Sequence, residues 1–362
     1  MQTFSPESGL LIIGGYALVT TVVAWVFSRG FQYTKRHFLL ANRGLGTLAA
    51  AMSIAATWIW APALFLAAEK AYTQGWVGLF WFLVPNVLSL VVFGFFAHRV
   101  VKRFPDGYTW SGCVRERFSQ RVQNVYLVTL GGLATCSFAV QLLAGGMIIS
   151  AVSVLPYLWV TVLLAVIPIV YSLHGGLRAS VASDFFQMTI MLVVGGGVVA
   201  AALYSAGGPH IAWEGLYGKT GTYSDLFSGD GLTVFLTFGL PVTLGLMAGP
   251  FGDQSFWQRA FSIRGNIRTA FILGAILFGL VPLTLSTLGF IAAGIPGLIV
   301  PNTAQVNMVV VKELLPTWVM VPFVYLLLAG LVSTLDSNLA AISSLAGHDV
   351  LARREGSVED HR

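Results

Sequence analysis

Nine apolar stretches run through this sequence, and they determine what such a chain can fold into. A helix of about 20 apolar residues crosses the roughly 30 Å hydrocarbon core of a bilayer, and each stretch is close to or above that length. Of the 362 residues, 56% are hydrophobic and 10% are charged, whereas soluble domains carry about 25% charged residues. The sequence therefore predicts an all-α polytopic membrane protein with helices over residues 9–28, 45–68, 77–98, 125–150, 157–174, 183–206, 232–250, 268–293 and 317–346.

The positive charges are distributed unevenly between the loops. Of the 20 Lys and Arg residues, only Lys70, Lys219 and Lys312 lie in loops that would share a side with the N-terminus. Cytoplasmic loops are enriched in Lys and Arg, so this asymmetry predicts an N-terminus outside and a cytoplasmic C-terminus. We expect an integral protein of the plasma (inner) membrane, with a transmembrane domain over 1–346 and a cytoplasmic polar tail over 347–362.

The last predicted span carries four polar side chains within two helical turns: Ser333, Thr334, Asp336 and Ser337. Polar groups inside a bilayer are costly, and oxygen ligands without Cys or His suit a hard cation such as sodium. Alternatively, the hydroxyls bond the backbone of the preceding turn, which is usual for isolated serines. Because that alternative leaves the Asp336 carboxylate unexplained, the pattern favours a cation site.

Asp184 is a second isolated acid, at the start of the sixth predicted span. It could cap the first free amides of that helix or bind an ion, and the residues alone leave both interpretations open. Enzymatic chemistry is not expected, because no nucleophile–base pair is apparent and Cys113 and Cys136 lack the spacing of a zinc site.

The second predicted span contains two tryptophans followed by a proline, at Trp58, Trp60 and Pro62. A helix broken here would free backbone carbonyls to coordinate an ion, provided that they line a cavity. Alternatively, the proline produces a kink and the tryptophans are packing residues. Tryptophan prefers the membrane interface, so its position within a span makes a solute-facing role plausible.

Three further solute-binding candidates, Asp253, Gln254 and Trp257, follow the seventh predicted span. They could face a solute from a broken helix or belong to a solvated loop, and the nearby Arg259 favours the loop. Gln141, in the fourth span, could bind solute, although a single amide more often makes an interhelical hydrogen bond.

Four segments then carry a resemblance to a known family. They are FLLANRGLGTLAAAMSIAATWIWAP at 38–62, YSLHGGLRASVASDFFQ at 171–187, GDQSFWQRAFS at 252–262 and LLAGLVSTLDSNLAAISS at 327–344. In this order they resemble the sodium/solute symporter family, which includes sodium-coupled proline, sugar, sialic acid and urea carriers. The TWIWA and DQSFWQRA strings look closest to the urea-carrier branch.

The resemblance implies a leucine-transporter-like fold of five plus five inverted-repeat helices, preceded by one extra helix. The second repeat would be incomplete, since its ninth and tenth core helices have no counterpart, and a C-terminal truncation is expected. By position, the family's main sodium site corresponds to Ala56, Ile59, Gly330, Ser333 and Thr334. A second sodium site, present in some members, corresponds to Asp184 and Ser333 with Asp336 and Ser337, although Asp336 replaces the usual serine.

The resemblance also implies a function. We expect a sodium-coupled secondary active symporter, not an enzyme, that imports a small polar organic solute by alternating access. Its partners would be the solute and the lipid bilayer, without nucleic acid or an obligate protein partner, and its cofactor would be sodium. The solute-binding candidates offer aromatic faces and neutral amides, which favours urea or another small neutral amide. The alternatives are a transporter-like sensor module and a non-transporting fragment.

Overall fold

The computed structural model describes residues 4–29 and 34–351, which are helical almost throughout. Within this range no residue belongs to a β-strand, and Leu45 and Ile263 form an isolated bridge. The α-helices are α1 (Pro6–Phe27), α2 (Lys35–Leu40), α3 (Thr47–Trp58), α4 (Ala61–Arg103), α5 (Trp110–Arg117), α6 (Gln120–Ser153), α7 (Tyr157–Ser205), α8 (Pro209–Glu214), α9 (Gly229–Val234), α10 (Leu240–Ala248), α11 (Gln254–Ser262), α12 (Ile267–Gly294), α13 (Val306–Leu314) and α14 (Met320–Ser344).

Seven helical segments of the described range are long and apolar enough to cross a membrane. They are Pro6–Phe27, Ala61–Arg103, Gln120–Ser153, Gly175–Ser205, Gly229–Gly252, Ile267–Gly294 and Thr317–Leu351, accompanied by the shorter apolar helices Thr47–Trp58 and Tyr157–Ser172. The domain limits 1–346 and 347–362 stay predictions, and residues 1–3 and 352–362 lie outside the described range. Leu345–Leu351 continue α14 as a wider π-helical turn, which includes residue 347, the predicted start of the polar tail.

The predicted span 45–68 is divided between α3 and α4. Ile59, between the two helices, has φ −84° and ψ 87°, and Pro62 occupies the first turn of α4. Proline lacks an amide hydrogen, which costs nothing in the first turn because that amide has no helical acceptor. The interruption takes Ile59 out of the helical conformation and makes its carbonyl oxygen available to a neighbouring helix.

Two glycines make sharp turns within the longest helices. Gly75 in α4 has φ 58° and Gly176 in α7 has φ 52°, a region that favours glycine. At Gly176, a β-carbon would lie 2.4 Å from the carbonyl oxygen of Phe38, so no larger residue fits. Each turn lies between two of the predicted spans, and Gly176 separates the two halves of α7.

The last helix, α14, lies at the centre of the bundle. In its most apolar window, 78% of the residues are buried, against 22% for α1. α14 contacts α3, α6, α7 and α11, whereas α1 exposes Leu11 and Leu18 on its outer face, as a lipid-facing helix does. The polar residues of α14 therefore face protein and need partners within it.

The segment after the seventh predicted span is not a solvated loop. All nine residues of α11 are buried, and Arg259 has 0% exposure. The interpretation of Arg259 as a loop residue was wrong, because Asp184 matches its charge inside the protein. A criterion based on 20 apolar residues does not detect α11, because this helix has nine residues and five of them are polar or charged.

Candidate functional site

The five groups assigned by resemblance to the main sodium site lie together, between the end of α3 and the middle of α14. The Ser333 hydroxyl donates to the carbonyl oxygens of Ala56 at 3.0 Å and Gly330 at 3.1 Å. The Thr334 hydroxyl donates to the carbonyl of Ile59 at 2.9 Å and is 3.3 Å from that of Gly330. The helix break thus brings oxygens of two helices into one small volume.

This set of oxygens fits a sodium ion. Each of the five groups contributes a carbonyl or hydroxyl oxygen, the ligand type that hard cations prefer. Within the described residues, no group of three or more His, Cys, Asp or Glu side chains has the arrangement of a transition-metal site. Small rotations of the two hydroxyls would direct their lone pairs to a shared cation, because the carbonyls already surround them.

A second polar cluster surrounds Arg259. One guanidinium nitrogen, Nη2, donates to Asp184 Oδ2 at 2.8 Å and to Ser337 Oγ at 2.7 Å. Nε donates to Ser53 Oγ at 2.7 Å, and that hydroxyl in turn donates to Asp184 Oδ2 at 2.5 Å. Nη1 donates to the carbonyl oxygen of Ser255 at 3.1 Å. The cluster connects α3, α7, α11 and α14.

The two buried carboxylates have separate partners. Asp336 accepts a hydrogen bond from Ser172 at 2.5 Å and another from Ser183 at 3.2 Å. Asp184 does not cap a helix, because α7 is continuous from Leu177 onward and Asp184 lies two turns beyond the Gly176 kink. Both acids have 0% exposure, and their partners differ from those of a helix N-terminus.

The two polar groups are connected by Thr57 and Ser337. Their hydroxyl oxygens are 2.9 Å apart. Thr57 also offers its carbonyl oxygen to Thr334 at 3.4 Å, and Ser337 accepts from Arg259. A continuous chain of polar contacts therefore joins the five groups assigned to the main sodium site to the guanidinium.

A cavity of about 530 Å³ lies beside the main site and reaches Thr57 and Thr334. Of the described residues that line it, Asp253 is the one ionisable group, and the others are mostly apolar or aromatic. The lining residues are Thr57, Trp58, Trp60, Pro62, Leu66, Phe82, Leu133, Ser137, Val242, Gly245, Leu246, Ala248, Gly249, Gly252, Asp253 and Thr334.

Three of the six solute-binding candidates, Trp58, Trp60 and Asp253, line this cavity. The other three are absent from its lining and have other partners. The side-chain oxygen of Gln141 accepts from the backbone N–H of Ala61, at the restart of the broken helix, at 3.0 Å.

Gln254 and Trp257 face α5 rather than the cavity. Gln254 Oε1 accepts from the backbone N–H of Trp110 at 3.2 Å. The Trp257 indole stacks on that of Trp110, and its N–H donates to the carbonyl of Phe251 at 3.0 Å. These two residues connect α11 to the start of α5.

The sequence reasoning missed several residues of these groups, among them Ser53, Ser172 and Ser183 around the carboxylates. Each is a single hydroxyl in an apolar helix, and such residues usually bond their own backbone. Ser137 was also missed; it lines the cavity and accepts a hydrogen bond from Asn338 at 3.0 Å. One signal in the sequence could have identified them: Asp184 and Asp336 are acids within apolar spans, and buried carboxylates need hydrogen-bond donors such as serine hydroxyls.

Comparison with known proteins places these features in a family. The model described as the sodium:solute symporter family matches residues 38–360. One similar protein is the urea-proton symporter DUR3 of Oryza sativa subsp. japonica, 24% identical over 92% of this chain and 51% of the relative. Another is the sodium/pantothenate symporter of Haemophilus influenzae, 26% identical over 88% of this chain and 68% of the relative. The matched family and relatives are described as transporters, not as enzymes.

A solved structure supports the fold. A Na+-coupled sialic acid symporter, in its substrate-bound outward-open state, matches with a TM-score of 0.81. The match covers 95% of this chain and 75% of the other at 17% identity, and it confirms the predicted leucine-transporter-like helical fold. The chain spans about half the length of the urea transporters it matches, 51% in one case and 44% in another.

Family membership rests on the length of the match, which extends over most of the chain and includes both polar groups and the cavity. The membrane-spanning helices and the oxygen-rich helix break agree with it. The chain is an integral membrane protein that belongs to the sodium:solute symporter family.

Proposed function

We propose that this chain forms a sodium-coupled symporter that imports a small polar organic solute by alternating access. One observation carries the proposal: Thr57 and Thr334 line the solute-sized cavity, and both also contact the oxygens of the main cation site. A cation and a solute held there would both lie against Thr57 and Thr334. Binding of either would therefore change the affinity for the other by the same factor, which is the thermodynamic requirement for coupling.

Sodium is favoured over a proton as the ion at the main site. One relative is described as a proton symporter and another as a sodium symporter, so their descriptions do not decide the ion. The five oxygens contributed by Ala56, Ile59, Gly330, Ser333 and Thr334 include no titratable group. Carbonyls and hydroxyls coordinate a hard cation but have no group that takes up a proton near neutral pH.

The residues of the main site would tie two helices together. Ala56 and Ile59 belong to the end of α3 and the break after it, whereas Ser333 and Thr334 belong to α14. Bound sodium supplies a positive charge that all these oxygens share. The conformation in which the two helices are close would then be favoured by the difference in sodium affinity between the conformations.

The proposed solute is urea or another small neutral amide. Asp253 accepts a hydrogen bond from the Ser255 amide at 2.7 Å, and its carboxylate can accept N–H groups from a solute as well. Among the described residues, the cavity lining includes no Lys, Arg or His to balance an anion. A carboxylated solute would face the charge of Asp253 without compensation, whereas a neutral amide would gain a charge-assisted hydrogen bond.

We propose that the protein lies in the plasma (inner) membrane with its N-terminus outside. Seven arginines, Arg36, Arg43, Arg99, Arg103, Arg115, Arg117 and Arg121, lie at helix ends or in connections on one side of the sequence-derived topology. Positive charge marks the cytoplasmic side of membrane proteins.

The test is solute uptake into proteoliposomes that contain the 362-residue chain. Radiolabelled urea is added with an inward sodium gradient, or with potassium replacing sodium at the same imposed membrane potential. We expect accumulation above equilibrium only with the sodium gradient. Accumulation driven by an inward proton gradient in the absence of sodium would contradict sodium coupling. Sodium-driven uptake of pantothenate instead of urea would contradict the neutral solute.

A further inference from the structure

The guanidinium of Arg259 occupies the place at which a second sodium ion would be expected. By resemblance, that ion would be held by Asp184 and Ser337 together with Ser333 and Asp336. Arg259 Nη2 instead donates to both Asp184 Oδ2 and Ser337 Oγ, at 2.8 and 2.7 Å. Arg259 and its two partners have 0% exposure.

The remaining candidate ligands are also committed elsewhere. Ser333 donates to the carbonyl oxygens of the main site. The two oxygens of Asp336 accept hydrogen bonds from different serines, Ser172 and Ser183. Asp184 Oδ2, Ser337 Oγ and both oxygens of Asp336 thus already accept hydrogen bonds, so the residues present do not fit a second sodium ion beside the guanidinium. A sodium ion beside Asp184 Oδ2 would also be repelled by the guanidinium at short range.

The charge of Asp184 is already balanced inside the protein. Asp184 and Arg259 form an ion pair at 2.8 Å, and both side chains have 0% exposure. A second sodium ion beside that pair would add a positive charge with no partner to a low-dielectric interior, where uncompensated charge is costly.

We propose that Arg259 is a built-in cation that replaces the second sodium ion, so that this chain binds one sodium ion at a time. The proposal rests on the proposed function, since it takes the main sodium site as given. Arg259 is a positioning residue: it holds Asp184 and Ser337, and Ser337 contacts Thr57 beside the main site. The second oxygen of Asp184, Oδ1, has no hydrogen-bond partner among the described residues, and the charge of that carboxylate is balanced through Oδ2.

The test counts sodium ions bound to the purified protein, with no transport step involved. Equilibrium binding of ²²Na⁺ gives the number of sites, and the sodium dependence of the melting temperature gives a Hill coefficient. We expect one site and a Hill coefficient of about one for the wild type. For Arg259→Gln, which opens the place beside Asp184, we expect two sites and a Hill coefficient above one. Arg259→Lys, the matched control that keeps the charge, should bind one ion.

The outcomes separate the two proposals. Two sodium ions bound to the wild type would overturn the role of Arg259, because a second ion would then coexist with the guanidinium. No sodium binding to the wild type would overturn the proposed function itself. If Arg259→Gln fails to fold, the double variant Arg259→Gln/Asp184→Asn, with the same net charge as the wild type, should fold and bind one ion. Two ions bound to the double variant would contradict the charge argument.

Discussion

Trp110 of α5 lies flat against Trp257 of α11, with ring centroids 4.3 Å apart and planes within 6° of each other. The start of α5 is held from another direction as well. Thr109 and Ser111 donate hydrogen bonds to the buried carboxylate of Asp349, at 3.1 and 2.6 Å. Helix α5 thus packs against the N-terminal part of α11, and hydrogen bonds join its start to the π-helical turn that follows α14. Trp58 and Trp60 line the cavity, whereas neither Trp110 nor Trp257 is among its lining residues.

We predict that Cys113 reports the release of α5. Its thiol is buried, and burial, aided by the nearby Glu116 and Asp349 carboxylates, raises its pKa to about 12. Trp110→Ala removes the indole stack and should increase the rate of maleimide labelling at Cys113 by about tenfold, because the thiol becomes accessible and ionises more easily. The measurement uses a Cys136→Ala background at pH 7.

Trp110→Phe is the matched control for this experiment, since it keeps an aromatic ring against Trp257. Its labelling rate should stay within about twofold of the wild-type rate. Equal labelling of Cys113 in Trp110→Ala and the wild type would mean that the indole stack does not hold α5 in place. The melting temperature of each variant distinguishes local release from general unfolding.

Removing either hydroxyl of the main site should weaken sodium binding. Sodium needs about five or six oxygen ligands, so Ser333→Ala or Thr334→Ala leaves an under-coordinated ion in a low-dielectric interior. We expect the sodium concentration for half-maximal thermal stabilisation to rise by roughly tenfold, equivalent to about 1.4 kcal/mol. Ser344→Ala is the control, because Ser344 is buried in the same helix and donates only to the Ala341 carbonyl among its described contacts. An unchanged sodium dependence in both site variants would place the ion elsewhere.

Asp253→Asn should lower the affinity for the solute. A hydrogen bond to a charged acceptor contributes about 1.5–3 kcal/mol, more than one to a neutral amide, so we expect the half-saturating urea concentration to rise about tenfold. Asparagine also caps helices well, which should preserve α11. Asp225→Asn makes the same change at an exposed residue that accepts from the Phe227 amide at 2.9 Å. Equal urea affinities in both variants would remove Asp253 from the solute site.

Gly289→Ala should destabilise the contact between α12 and α4. A β-carbon at Gly289 would lie 2.1 Å from the carbonyl oxygen of Ala68, which is too close for any real contact. Overpacking of this kind costs about 1–3 kcal/mol, so the melting temperature should fall by several degrees. Gly131→Ala, in a helix where nothing lies within 4 Å of the added carbon, should have little effect. Similar melting temperatures for the two variants would indicate that the helices move apart without cost.

Sequence patterns predicted the local features and missed the pairing between distant segments. Pro62 and the hydroxyls of α14 indicated a broken helix and a cation site, because proline and intramembrane oxygens each have a specific physical cost. Arg259 was placed in a loop because an arginine after an apolar span usually marks the membrane boundary. Its partner, Asp184, is 75 positions away in the chain. Neither residue carries a local signal for the other, and the packing of both α7 and α11 against α14 brings them together.

If Arg259 replaces a second sodium ion, as proposed, it also limits how steep a solute gradient the protein could maintain. One sodium ion moving down a tenfold gradient releases about 1.4 kcal/mol, and a potential of 100 mV adds about 2.3 kcal/mol for its single charge. Their sum, about 3.7 kcal/mol, corresponds to a roughly 500-fold excess of a neutral solute inside the cell. Two ions would square that ratio, to a few hundred thousand-fold. The guanidinium is covalently part of the protein and is not released into the cell, so it contributes nothing to this driving force. Such a carrier would use one sodium ion per solute molecule and reach the lower of the two concentration ratios.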